Sequence, residues 1–192
     1  CVPVATGLAW AVKNYKKTDD IVAVFFGDAA TANAQWHEGV NIAAVQKVPL
    51  LLICENNGLA GNVRTPYYLP TPSVATRAFG YGISGAIADG NQVHDVVSEV
   101  QSASKIVRSD SRPFLLEFNT TRLSRHKQGQ GDIRSKEELA ELAKRDPLLY
   151  EERRLGIDPE VKAQLLAEAE KEVRAAIDAA RLAPSPIFGG LP

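Results

Sequence analysis

Two short polar signatures close two apolar runs: Gly27-Asp28-Ala29 follows Ile21 to Phe26, and Glu55-Asn56-Asn57 follows Pro49 to Cys54. An Asp carboxylate and an Asn amide oxygen are hard oxygen donors. Side by side they suit Mg2+ or Ca2+ completed by phosphate oxygens and water, so the ligand implied by the pair is a diphosphate. The same residues also admit a plainer reading, in which Asp28 caps a helix and Asn57 sits in a turn before Gly58.

The metal reading requires the two runs to be neighbouring parallel strands, and such strands need a crossover, usually a helix. Ala34 to Lys47 fits that requirement: Trp36, Val40, Ala43, Ala44 and Val45 recur at helical spacing, with Gln35, Glu38, Asn41 and Gln46 between them. Both runs are almost wholly apolar, as expected where helices cover both faces of a parallel sheet. The predicted fold is α/β: a doubly wound, mainly parallel sheet with helices on both faces, followed by a C-terminal helical extension. Ligands of such sheets lie outside the carboxyl ends of the strands, where both signatures fall. Adjacent strands are about 4.8 Å apart, so one ion can reach both side chains.

The string GDAATANAQWHEGVNIAAVQKVPLLLICENN resembles the thiamin-diphosphate motif, a GD(G) followed further on by NN. In detail it is similar to the α subunit of the decarboxylating first component of 2-oxoacid dehydrogenase complexes. YGISGAIADGNQV, RPFLLEFNTTR, IRSKEEL, DPLLYEERRL and the terminal PSPIFGGLP follow in the family's order, so the resemblance covers nearly the whole chain. It implies Asp28 and Asn57 as Mg2+ ligands, with the Leu59 backbone carbonyl as a third where the family usually has Tyr. It also implies that Gly27, Ala29 and Ala30 line the diphosphate, with Ala29 replacing a common Gly. His126, in the Arg-, Lys- and Gly-rich loop TTRLSRHKQGQG, matches the active-site histidine, and Arg122 matches an arginine that steadies cofactor phosphate or the loop. The ordinary pKa of an imidazole suits proton transfer near neutrality. His37 and His94 lie in predicted helices and read as structural.

The resemblance further implies decarboxylation of a 2-oxoacid and acyl transfer to a lipoyl group on an acyltransferase or carrier protein. A Glu that activates the cofactor belongs to a pyrimidine-binding domain that nothing in this chain resembles. A separate β subunit is therefore expected, in a heterotetramer of two α and two β subunits. Arg125 and Lys127 replace a usual Gly and Ser beside His126, and this more basic mouth motivates a second reading. It is a transketolase-like transfer of a two-carbon ketol unit from a ketose phosphate to a lipoyl or carrier thiol. A third reading, from a different class, is a non-catalytic regulatory or scaffolding subunit.

Size and composition agree with one part of a larger assembly. The 192 residues suffice for a sizeable core, and a formal net charge of −1 argues against general attraction to nucleic acid. No apolar run approaches the roughly twenty residues of a membrane span. Cys1 and Cys54 form no metal-type spacing, and Cys54 reads as a small buried hydrophobe. A cytoplasmic setting, or the mitochondrial matrix in a eukaryote, is expected. The start at Cys1-Val2-Pro3 and the absence of Met suggest a fragment of a longer subunit, or a subunit whose front portion is a separate polypeptide.

Residues 1–134 are predicted to form the diphosphate-binding domain, including an active-site loop over 119–134, and residues 135–192 the helical extension. Helices are predicted over Val4–Lys16, Gln92–Val107, Lys136–Lys144 and Pro159–Ala183, and a strand over Gly85–Ala88. The last helix has Asp158 as N-cap candidate and Pro159 at its first position. Its Val161, Leu165, Leu166, Ala169, Val173, Ile177 and Ala180 are expected to be buried, as are Val93, Val96, Val97 and Val100. The loop, without apolar periodicity, is expected to order when thiamin diphosphate binds.

Overall fold

The computed structural model describes residues 1–185. A compact unit spans Cys1–Glu151, and a second begins at Glu152. The first is built on four parallel strands, β1 (Val22–Gly27), β2 (Leu50–Asn56), β5 (Ser84–Asp89) and β6 (Phe114–Asn119), in the spatial order β1-β2-β6-β5. The short hairpin β3 (Leu59–Ala60) and β4 (Val63–Arg64) follows β2.

The helix α2 (Ala34–Gln46) crosses from β1 to β2, as the 3.6-residue pattern requires. It starts where Asn33 Oδ1 accepts the Gln35 N–H at 2.9 Å. The helix α1 (Val2–Ala11), extended by a π turn over Val12–Lys16, packs beside it. That packing is close enough to demand glycine at position 39, because a Cβ there would meet the Val2 side chain at 2.9 Å and the Pro3 backbone at 3.0 Å. Thr6 donates to the Gly39 carbonyl at 3.1 Å across the same contact.

Alternate strand residues feed two cores. Val24, Phe26, Leu50, Leu52, Cys54 and Leu115 pack with Val2, Ala9, Trp36, Val40 and Ala43 on one face. Leu51, Ile53, Phe114, Leu116 and Phe118 pack with Ala103 and Val107 of α3 (Val93–Asp110) on the other. Helices therefore lie on both faces, but Phe25 on the edge strand β1 is 61% exposed. Cys54 is fully buried as expected, and burial pushes its thiol well up.

Two buried stripes expected from periodicity are not buried. Val93 and Val97 are about half exposed, while Val96 and Val100 pack partly against the second core. Phe25, Ile53, Val96, Val97, Val100 and Phe118 border an open apolar hollow of about 410 Å³ there. Helix α6 (Pro159–Leu182) begins at Asp158 and Pro159 as predicted, with Asp158 Oδ1 accepting the Glu160 N–H. Its row Val161, Leu165, Leu166, Val173 and Ile177 is exposed, because helical periodicity marks an apolar face without supplying what covers it.

Helix α4 (Lys136–Ala143) matches its prediction and is capped by Ser135. Helix α5 (Pro147–Leu155) was missed, although Asp146-Pro147 repeats the Asp-Pro signature that opens α6, and Asp146 Oδ1 accepts the Leu148 N–H at 2.9 Å. No helix among the described residues is long and apolar enough to cross a membrane. Most of the terminal PSPIFGGLP lies outside the described residues.

Candidate functional site

Register decides which polar residues meet. Gly27 pairs with Glu55 and Asn56 with Asn119, so Asp28, Asn57 and the segment after Asn119 leave the carboxyl ends of three adjacent strands on one rim. Asp28 and Asn57 are brought together there, and the backbone N–H of Asn57 approaches the Asp28 carboxylate.

Asp28 opens a 3₁₀ turn (Asp28–Ala32) that precedes α2; Asn33, not Asp28, caps the helix. The buried Thr31 hydroxyl holds this turn by donating to the Asp28 carbonyl at 2.7 Å, and Arg77 donates to the Thr31 carbonyl at 2.6 Å. Asp28 is only 1% exposed. Burial pushes its carboxyl above the usual carboxylate range, while the Tyr68 hydroxyl and the N–H groups of Asp28, Ala29 and Asn57 pull the other way. Tyr68 donates its hydroxyl proton to Asp28 Oδ2. Of the residues expected beside the diphosphate, Gly27 and Ala30 are exposed and Ala29 half-buried, all at the start of this turn.

Asn57 sits in a tight turn whose Leu59 N–H donates to Asn57 Oδ1 at 3.0 Å, which leaves that oxygen a second lone pair. Leu59 is buried in β3, directly after. The turn is supported from below by a carboxylate that sequence reasoning missed. Glu117 is wholly buried in β6 and accepts from Asn56 Nδ2 at 2.6 Å, Ser73 Oγ at 2.8 Å and the Ala75 N–H at 2.7 Å. Asn56 in turn accepts the Gly58 N–H at 3.0 Å. The available signal was a lone charge inside the apolar run Phe114–Phe118.

Loop 119–134 folds against the hairpin. Arg122 donates to the Gly61 carbonyl at 2.8 Å, Asn62 to the Gly131 carbonyl at 2.7 Å, and His126 Cδ2 lies 3.8 Å from where a Cβ on Gly61 would sit. Arg134, also missed, is the loop's clamp. Its buried guanidinium donates to the carbonyls of Arg122 and Ser124 and to both oxygens of Asp132, whose carboxyl is thereby held far below its usual range. Arg122 Nε and Nη2 are buried without a protein partner. Arg125, His126 and Lys127 are exposed.

The residues fit a hard divalent cation. They provide one buried carboxylate, one amide oxygen and a nearby backbone carbonyl, and this mixed set leaves positions for phosphate oxygens. No cluster of three His, Cys, Asp or Glu side chains occurs among the described residues, which such a set does not need. Next to it, a cavity of about 460 Å³ is lined by Asn57, Arg64, Thr121, Arg122, Arg134 and Arg145. His37 and His94 lie apart in the helices: His37 bonds Tyr81, and His94 pairs with Glu151 and stacks on Tyr150.

A parallel sheet with a buried carboxylate and the buried, unpaired guanidinium nitrogens of Arg122 at its carboxyl rim defines an α/β protein whose polar groups gather where such sheets bind ligands. The model of the dehydrogenase E1 component family matches residues 1–186, and the chain belongs to that family. It is 35% identical over 190 residues to the 2-oxoisovalerate dehydrogenase subunit alpha of Bacillus subtilis (strain 168), covering 95% of this chain and 57% of that protein. The mitochondrial 2-oxoisovalerate dehydrogenase subunit alpha of Homo sapiens is 33% identical over 125 residues, 65% of this chain and 28% of that one. The chain thus spans little more than half the length of the bacterial relative. An enzyme from Mycobacterium smegmatis assigned as thiamin diphosphate-dependent shares the fold over 63% of this chain and 22% of its own, with a TM-score of 0.50 and 22% identity.

Proposed function

We propose that this chain is the diphosphate-anchoring part of the α subunit of a thiamin-diphosphate- and Mg2+-dependent 2-oxoacid dehydrogenase. The observation that carries this reading is the buried Asp28 beside Asn57 at the ends of neighbouring strands. Relatives named for 2-oxoisovalerate favour a branched 2-oxoacid as substrate. Asp28, Asn57 and the Leu59 carbonyl hold Mg2+, and the N–H groups of Ala29 and Ala30 face the diphosphate beside Gly27. Arg122, with two unpaired guanidinium nitrogens, offsets phosphate charge.

The cofactor, when bound, supplies the carbanion and the electron sink. His126, on the loop that Arg134 clamps, gives or takes a proton at an imidazole nitrogen during acyl transfer to a lipoyl group. Residues 1–134 do the binding, and the helices that follow form the extension. A β subunit carrying the activating Glu completes the heterotetramer, and a lipoyl-bearing transferase receives the acyl group. A cytoplasmic or matrix location goes with this reading.

The exposed Arg125 and Lys127 beside His126 favour, as a second reading, a ketol transfer from a ketose phosphate. A turnover assay of the full-length subunit with its partner separates the two. Release of CO2 from 2-oxoisovalerate supports the first, whereas consumption of a ketose phosphate without CO2 replaces it with the second. An assembly with neither activity and no Mg2+-dependent cofactor binding is a scaffold.

A further inference from the structure

The Asp28 carboxylate has two oxygens, and Oδ2 receives the Tyr68 hydroxyl. Tyr68 reaches it from the segment after the hairpin, forty residues along the chain. Its own hydroxyl is within 3.3 Å of Thr65 Oγ1, and the Tyr68 N–H donates to the Thr65 carbonyl at 3.0 Å. Thr65 is tied to the metal-side turn in turn, since its N–H donates to the Gly58 carbonyl at 3.1 Å. Gly58 immediately follows Asn57. A single short path therefore joins the two side chains that grip the ion, running from Asp28 through Tyr68 and Thr65 to the turn that carries Asn57.

A buried carboxylate with one oxygen held by a side chain can rotate only by breaking that bond, so the other oxygen keeps its direction before any ion arrives. Hydrogen-bonded partners of metal-ligating carboxylates act in this way in general. From this geometry we propose that Tyr68 is a positioning residue for the divalent cation: it locks Asp28 Oδ2 so that Oδ1 faces the ion, and through Thr65 it couples that carboxylate to the Asn57 turn. The inference rests on the metal site proposed above.

The test titrates Mg2+ into the full-length subunit in its native assembly, with thiamin diphosphate present, by calorimetry. Mn2+ in place of Mg2+ gives an electron paramagnetic resonance spectrum of the bound ion. Tyr68→Phe is expected to weaken Mg2+ binding by about 10- to 100-fold and to broaden the Mn2+ spectrum by loosening the site. It is expected to lower the melting temperature of the cofactor-free assembly by no more than the loss of one hydrogen bond to a buried carboxylate explains.

Wild-type affinity and an unaltered Mn2+ spectrum in Tyr68→Phe overturn the proposal while leaving the site itself standing. Absence of Mg2+-dependent cofactor binding in the wild type overturns the site, and the proposal with it. Thr65→Val, which removes the hydroxyl beside Tyr68 without touching Asp28, is the second variant. A weakening in the same direction but smaller supports the coupled path and decides the matter should Tyr68→Phe not fold, and an unchanged affinity there counts against it.

Discussion

Burial raises the proton affinity of Asp28, and that makes its protonation a stability term. The native state binds this proton more tightly than the unfolded chain does. Stability of the cofactor-free protein is therefore expected to fall as pH rises from the ordinary carboxylate value of 3.8 through the raised native one. Chemical denaturation across that range checks the sign. Asp28→Asn is predicted to remove this slope and to raise the neutral-pH melting temperature while abolishing Mg2+-dependent binding, the exchange of stability for function common at sites that bind charge. Glu117 is a second buried carboxylate, and it accepts from Asn56, Ser73 and the Ala75 N–H. Glu117→Ala strands those donors and is predicted to cost roughly 3 kcal/mol or more in a denaturation midpoint experiment, since hydrogen bonds to charged groups are worth about 1.5–3 kcal/mol each.

Among elements, the strand-helix-strand unit was legible from residues alone because each part carries its own period, apolar runs for β1 and β2 and a 3.6-residue stripe for α2. That Asp28 and Asn57 emerge at one rim was legible for the same reason: once both strands are parallel neighbours, their carboxyl ends coincide. Glu117 and Arg134 were not, because their meaning lies in hydrogen bonds to backbone groups that only the folded chain brings near. The loop illustrates this. Its sequence has no period and suggested a segment waiting for cofactor, yet Arg134 already ties residues 122, 124 and 132 together. Arg134→Ala is predicted to speed amide hydrogen exchange across Leu123–Gly131 by at least tenfold, with β1 and β2 unaffected. Exchange rates unchanged in the loop would mean that the hairpin contacts of Arg122 and Asn62 suffice to hold it.

For the molecule as a whole, the feature sequence periodicity could not resolve is coverage. The apolar rows on α6 and at β1 and α3 read as core, but they stand exposed in the single chain. A surface position contributes little to the stability of the chain that bears it, so Val173→Gln with Ile177→Gln is predicted to change the unfolding free energy of the chain by no more than about 0.5 kcal/mol per site. A denaturant titration showing a much larger loss would mean that the row is buried after all. The proposed dependence on a second subunit adds an expectation of its own: the full-length subunit alone does not release CO2 from a 2-oxoacid, and activity appears on adding the partner.

The central claim is that one divalent cation joins Asp28 to Asn57 and anchors the cofactor's phosphates. It is tested most directly by a crystal structure of the full-length assembly with thiamin diphosphate and Mn2+, in which the ion is located by its anomalous scattering. The account predicts a single strong peak at the carboxyl rim, with oxygens of Asp28, Asn57 and the Leu59 carbonyl at about 2 Å and the remaining positions filled by diphosphate oxygens and water. A bound cofactor whose metal lies elsewhere, with neither Asp28 nor Asn57 in its coordination shell, would contradict it.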